Sequence, residues 1–220
     1  GEMVVQLAAW PDLPALELYD ARMRLWQGEI GAAWGDYALI FDGRVRDQPP
    51  TAEGASTLSI GCDDAWLDEP LLGTYAGTGN AEGSVDLKGN IKPWLIGAPR
   101  FVEPVLIDAV DNIYQLSEGQ MWGGEEAFDR LSRLGPPVAD HASFAALKAA
   151  TIANGEWATC LALGLIRLGA PPAGLLTFHV QGDNSGTRGW VRKPGSIIFR
   201  IAERLGKLDR VVVADLDALD

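Results

Sequence analysis

Glycine and proline break this chain so often that long helices are excluded as its main building material. There are 26 Gly and 13 Pro among 220 residues, and they separate short apolar runs. Short runs bounded by such breakers fold as strands, so the chain reads as mainly β (α+β), with a few short helices. Hydrophobic residues make up 47% of it, enough to offset chain entropy and build one large domain or two small ones.

Period-two alternation carries the first third. Tyr19, Ala21, Met23 and Leu25 alternate with Asp20, Arg22, Arg24 and Trp26, which predicts a half-buried strand over 16–26. Beyond a turn at Gly28 and Gly31, Tyr37, Leu39, Phe41 and Val45 share one face, with Asp42, Arg44 and Arg46 opposite. Gly43 inside that strand marks a bulge or a close backbone approach, and Pro49-Pro50 ends it. Ser56–Cys62 then sets Leu58, Ile60 and Cys62 against Thr57 and Ser59. Three consecutive antiparallel strands form a meander from a barrel or sandwich.

Residues 70–100 are rich in Gly and read as a loop excursion, followed by extended runs at Pro93–Gly97, Phe101–Ile107 and Asn112–Leu116. The spacing of Phe128 and Leu131 predicts a short helix over Glu125–Leu134, stopped by Gly135-Pro136-Pro137. Asp140 is placed to cap a second, carrying Phe144 and Leu147. Trp157–Leu168 and Leu175–Gly182 flank Gly169–Gly174 as a hairpin with a longer loop; the first arm, apolar nearly all round, also fits a buried helix. The clearest helix starts at Ser196. Ile197, Ile198, Ile201, Ala202 and Leu205 form its apolar stripe, with Arg200, Glu203, Arg204 and Lys207 toward water and Gly206 as C-cap. A last strand is expected over Arg210–Ala214.

Charge narrows the functions. With 18 Lys+Arg against 30 Asp+Glu, the net charge of −12 argues against a nucleic-acid binder, which needs clustered cations. No apolar stretch reaches the ~18 residues of a membrane span. Gly1-Glu2-Met3 has no basic region of a signal peptide. Cys62 and Cys160 are too few for a disulfide scaffold and read as buried thiols, and His141 and His179 supply little for a zinc site. The glycines of Gly77–Gly83 miss the dinucleotide spacing, and no apolar-striped helix follows them. Cys160, His179 and Asp183 would suit a cysteine hydrolase, but Cys160 lies in an apolar arm rather than at a helix start, so packing is the plainer reading. The pairs Asp63-Asp64, Asp68-Glu69 and Glu125-Glu126, with Asp215 and Asp217, are what an acidic surface carries by default, and neither Asp63-Asp64 nor Asp183-Asn184 has calcium-loop spacing. No catalytic residue, cofactor or metal ligand is therefore assigned. Eight tryptophans remain, and four of them, Trp26, Trp34, Trp122 and Trp190, fall on polar faces or in loops, where aromatics contact sugars or proteins.

Three stretches carry a resemblance. They are Leu39-Ile40-Phe41-Asp42-Gly43-Arg44-Val45 with Thr57–Ile60 and Leu67–Leu71; Asp86–Gly89, Lys92-Pro93, Gly97, Val102–Asp108 and Ile113–Gly119; and Ala158–Ala162 with Arg167–Gly174. Over roughly residues 16–220 the chain resembles phage and prophage tail proteins of the baseplate-hub and tail-tip kind. The resemblance implies a tail-tube-like β-barrel, begun by 1–68, interrupted by an inserted loop-rich β subdomain at 69–140, and completed by a hairpin, helix and strand at 141–220. It implies a structural, non-enzymatic virion protein, assembled in the bacterial host cytoplasm and joining the tail tube to the tip. Its partners would be copies of itself, as a homotrimer, and other tail proteins. Relatives are generally longer, so the chain is expected to be a fragment, its last strand completed from outside. Recognition of a host surface glycan by exposed Trp residues is the alternative, and a cell-wall hydrolase built on Cys160 and His179 a second. An acidic surface would also repel DNA passing through a tail.

Overall fold

The computed structural model of the chain describes residues 2–7, 17–48 and 56–220. It is mostly β, with 32% strand against 21% helix, in three antiparallel sheets. Two compact units divide after Glu69, one spanning 1–69 and the other 70–220.

The first unit is one four-stranded sheet. Strands β1 (Glu2–Leu7), β2 (Arg22–Gln27), β3 (Ala38–Asp47) and β4 (Ser56–Cys62) lie in the order β1-β4-β3-β2. The expected meander is β2-β3-β4. The first strand begins at Arg22, and Leu16 and Pro49-Pro50 lie outside the described residues. Alternation places Leu58 and Ile60 inward with Val45, which pairs with Ile60, and Leu18, Met23 and Phe41 pack on them. The three fully buried side chains each contribute about 1.5–3 kcal/mol by leaving water. Cys62, expected in this core, is exposed, and Cys160 alone is buried. Gly43 is the close approach its position suggested, since a Cβ there would lie 2.2 Å from the Gly61 carbonyl oxygen.

The second unit holds two sheets. Strands β5 (Val105–Asp108), β6 (Ile113–Gln115), β9 (Trp157–Cys160) and β10 (Leu165–Leu168) form one, in the order β5-β6-β10-β9. Strands β7 (Met121–Asp129), β8 (Ser132–Gly135) and β11 (Leu176–Asp183) form the other, in the order β11-β7-β8. Trp157 and Phe178, both fully buried, meet edge to face at 5.1 Å in the larger core cluster. Residues 69–140 therefore share their sheets with the segment that follows, and no sheet closes into a barrel among the described residues.

Five local expectations are corrected. Residues 125–134 are not a helix but the β7–β8 hairpin; Arg130 and Leu131 sit at φ 50° and 66°, the left-handed pair of a tight hairpin turn, and Leu131 points outward. The apolar run 157–168 folds on itself as β9–β10, because the chain reverses at Gly164 rather than at Gly169–Gly174, and β11 pairs with β7. The cap of helix α1 (Phe144–Ala149) is Ser143, whose Oγ accepts from the Ala146 amide; Asp140 instead accepts from Thr159 Oγ1 at 2.7 Å and the Leu161 amide at 2.9 Å. Helix α2 (Pro194–Arg204) starts with Pro194 in its first turn, where a missing N–H costs nothing, two residues before the expected Ser196. No strand forms at 210–214. A single turn at Leu208–Arg210 leads into helix α3 (Val213–Asp217), which packs on α2 with Leu216 buried.

Candidate functional site

Strand β4 pairs with β3 only from Gly43 to Asp47, whereas β2 follows β3 out to Gln27 opposite Ala38. The β2–β3 hairpin thus projects past the sheet as a two-stranded ribbon. Leu39 and Ile40 point to opposite faces, yet they are 44% and 52% exposed, so neither is buried by the described residues. At the tip, Trp34 is 68% exposed and Ile30 fully exposed. The Trp26 ring lies 5.4 Å from Trp34, tilted by 50°, and Tyr37 stacks on Trp34 at 5.6 Å and 28°. The Tyr37 hydroxyl donates to the Glu29 carbonyl at 3.3 Å, holding the loop closed. The loop's charges are Glu29 and Asp36, both negative. Contiguous exposed apolar surface of this kind marks a contact site.

Trp26 and Trp34 are thereby brought together, with Tyr37 as a third ring that the sequence reading missed. Tyr37 fell on the inward face of an alternating strand, and only the turn geometry aims it at Trp34. Trp122, on β7, is 54% exposed and Trp190 half-buried; neither stacks on another aromatic ring among the described residues.

Trp190 walls an open groove of about 240 Å³, lined also by Arg188, Val191, Arg192, Lys193 and Ser196. Its indole Nε1 donates to the Gly97 carbonyl at 2.9 Å, which fixes the ring, and the Arg192 guanidinium lies 5.8 Å from the ring centre. Arg188 stacks on Phe199 at 3.9 Å and pairs with Asp217 at 2.8 Å. Lys193 donates to the Asp220 carbonyl at 2.8 Å. The Asp220 carboxylate accepts from the Gly195 amide at 2.9 Å, the Ser196 amide at 3.2 Å and the Ser196 hydroxyl. The hydroxyl and these amides hold its carboxyl below the usual range. Room for this approach comes from Gly195, where a Cβ would lie 1.9 Å from the Leu216 carbonyl. Arg192 meets no carboxylate among the described residues.

Arg200, expected toward water, is only 6% exposed, and Asp183 is fully buried against it. Ser185 Oγ donates to Asp183 at 2.7 Å, and Arg200 also pairs with Glu203 at 3.2 Å. Burial pushes the Asp183 carboxyl up, but the Arg200 and Ser185 hydrogen bonds outweigh it and the net direction is down. Asp183 is thus committed to an ion pair. Cys160 is fully buried in β9, and burial pushes its thiol up, away from the thiolate a nucleophile needs. His179 stands on β11 in the other sheet. Its Nδ1 lies 3.0 Å from Arg100, and Phe101 and Phe128 flank the ring at 4.5 and 4.7 Å. Cys160 and His179 are not hydrogen-bonded, because the hairpin expected to join them does not form.

Two of the acidic pairs are engaged by cations: Asp63 with Arg44 and Asp64 with Arg46, and Glu125 with Arg100 and Glu126 with Arg133. Among the described residues no three His, Cys, Asp or Glu converge as metal ligands. The Gly77–Gly83 loop spends its amides internally, Gly77 to Glu82 at 3.0 Å and Gly79 to Gly83 at 2.8 Å. No described helix is long and apolar enough to cross a membrane. No protein family, no curated protein and no solved structure matches the chain.

Proposed function

We propose that the chain is a non-catalytic structural component of a tailed-phage or prophage tail, of the baseplate-hub or tail-tip kind, located in the virion. The observation that carries this reading is the projecting β2–β3 hairpin with its uncovered aromatic tip. An arm that buries neither face on its own sheet is stabilised by a neighbouring protein, which is how assembly components hold together. The sequence resemblance supplies the class of assembly. The test is mass spectrometry of tail particles purified after induction of the encoding phage. The chain is expected at a stoichiometry of a few copies per particle, and its absence from intact particles would sink the reading.

A second reading rests on Trp34 alone. Its open face is a stacking platform for one sugar ring of a host surface glycan. Retention of the chain on immobilised host glycan, lost in Trp34→Ala, would support it. The tilt of Trp26 and the separate settings of Trp122 and Trp190 make a flat multi-ring platform a poor description, so assembly is preferred.

A further inference from the structure

We propose that the basic groove beside Trp190 receives the acidic aromatic hairpin tip of a second copy of this chain; this rests on reading the hairpin as an assembly arm. The chain has an excess of twelve negative charges, yet the groove gathers Arg188, Arg192 and Lys193 around a fixed indole. Arg188 is held by Asp217 and Lys193 by Asp220, so Arg192 beside the indole is the cation left to select an anionic partner with an apolar part.

The carboxylates already at its margin show the kind of ligand it holds. Asp217 takes Arg188, and Asp220 takes the first amides of α2 while its carbonyl takes Lys193. These are side chains and backbone of an acidic peptide, Asp215-Leu216-Asp217-Ala218-Leu219-Asp220. Arg192 is left facing the open space with no carboxylate against it. A peptide ligand entering there needs a carboxylate for Arg192 and a large apolar side chain to lie against Trp190.

The hairpin loop has that chemistry. Between Gly28 and Tyr37 it carries Glu29 and Asp36, no Lys or Arg, and the exposed Ile30 and Trp34. The groove is open and offers about 240 Å³, room for one large side chain. Trp34 beside Trp190, with Asp36 on Arg192, would bury an aromatic anchor and satisfy the unpaired guanidinium together. The contact is heterologous, tip to groove, so each copy offers one of each and successive copies close a ring or grow a filament.

The test is sedimentation velocity of the full chain across roughly 1 to 100 µM, a span that covers weak to moderate contacts. Wild type is expected to self-associate, less so as salt is raised. Trp34→Ala and Arg192→Glu should each weaken association about tenfold or more, the scale for losing an aromatic or Arg anchor. Both residues are solvent-facing, and circular dichroism will confirm that each variant is folded. The decisive arm mixes the two variants: one retains the groove and the other the tip, so a single contact is restored and a one-to-one dimer appears. A monomeric wild type, variants that associate as wild type does, or a mixture that stays monomeric each overturns the proposal; a tip bound within its own chain would give the first of these. Arg192-dependent binding of polygalacturonate without self-association would assign the groove to an acidic glycan and also overturn it. Detection in tail particles with a monomer in solution removes this contact alone, and self-association of a chain absent from such particles removes the tail reading alone.

Discussion

Asp183 and Arg200 are the residues whose change should be felt most. Removing one partner of a fully buried pair strands the other charge, so Arg200→Met is expected to cost about 3–5 kcal/mol, while Arg200→Met with Asp183→Leu should recover much of the loss. Thermal unfolding of the two variants measures both. The pH dependence follows from the direction of the Asp183 shift. Its carboxyl is lowered in the folded state, so its stabilisation is present above the unfolded value of about 3.9 and lost as pH falls below it. Asp183→Asn should therefore flatten the acid limb of stability measured by urea midpoints between roughly pH 5 and 2. Gly164 is a backbone counterpart. It turns the β9–β10 hairpin at φ 64°, and a Cβ would lie 2.1 Å from the Ser117 carbonyl oxygen. Gly164→Ala is expected to cost about 2 kcal/mol or more, and a midpoint within error of wild type would refute that. Arg200 shows why such residues elude a reading of the chain. Its position between Phe199 and Ile201 left it off the apolar stripe of α2, and only the arrival of Asp183 from β11 makes burial tolerable.

Among the elements, the strands with clean alternation were legible. Strands β3 and β4 lie where Phe41, Val45, Leu58 and Ile60 placed them, because the alternation buries Val45, Leu58 and Ile60 together while Arg46 stays exposed. The failures share a cause. Phe128 and Leu131 have helical spacing, but a three-residue separation also arises when a strand ends and a turn begins. Val211-Val212-Val213 has strand composition, yet strand propensity expresses a fit to neighbours, and among the described residues no strand pairs with it. The projecting part of the β2–β3 hairpin is the element with least support from its own sheet. Replacing residues 28–37 by Asn-Gly is expected to leave the first unit's unfolding midpoint nearly unchanged and to reduce binding of a dye specific for exposed apolar surface. A large loss of stability would mean that the arm is a packing element and not a contact element.

On the scale of the whole molecule, the division after Glu69 gives each unit its own core. Val45, Leu58 and Ile60 serve the first, and the Trp157–Phe178 and Ile113–Leu165 clusters the second. Residues 70–220 expressed alone should fold with near-native circular dichroism, and calorimetry of the full chain should show more than one transition. A single sharp transition with calorimetric and van't Hoff enthalpies equal would contradict this. The chain by itself determined the β class, the loop-rich stretch of residues 70–100 and the acidic surface, because breaker frequency, period and charge are properties of local sequence. Of the four tryptophans it placed on polar faces or in loops, Trp34 and Trp122 are exposed, while Trp26 and Trp190 are half-buried. Tertiary structure alone decided that the strands form three open sheets, that Asp183 joins Arg200 rather than Cys160 or His179, and that Trp190 lies among three cations. Those outcomes depend on which distant segments meet, and sequence period sets a strand's faces while leaving its partner to long-range packing.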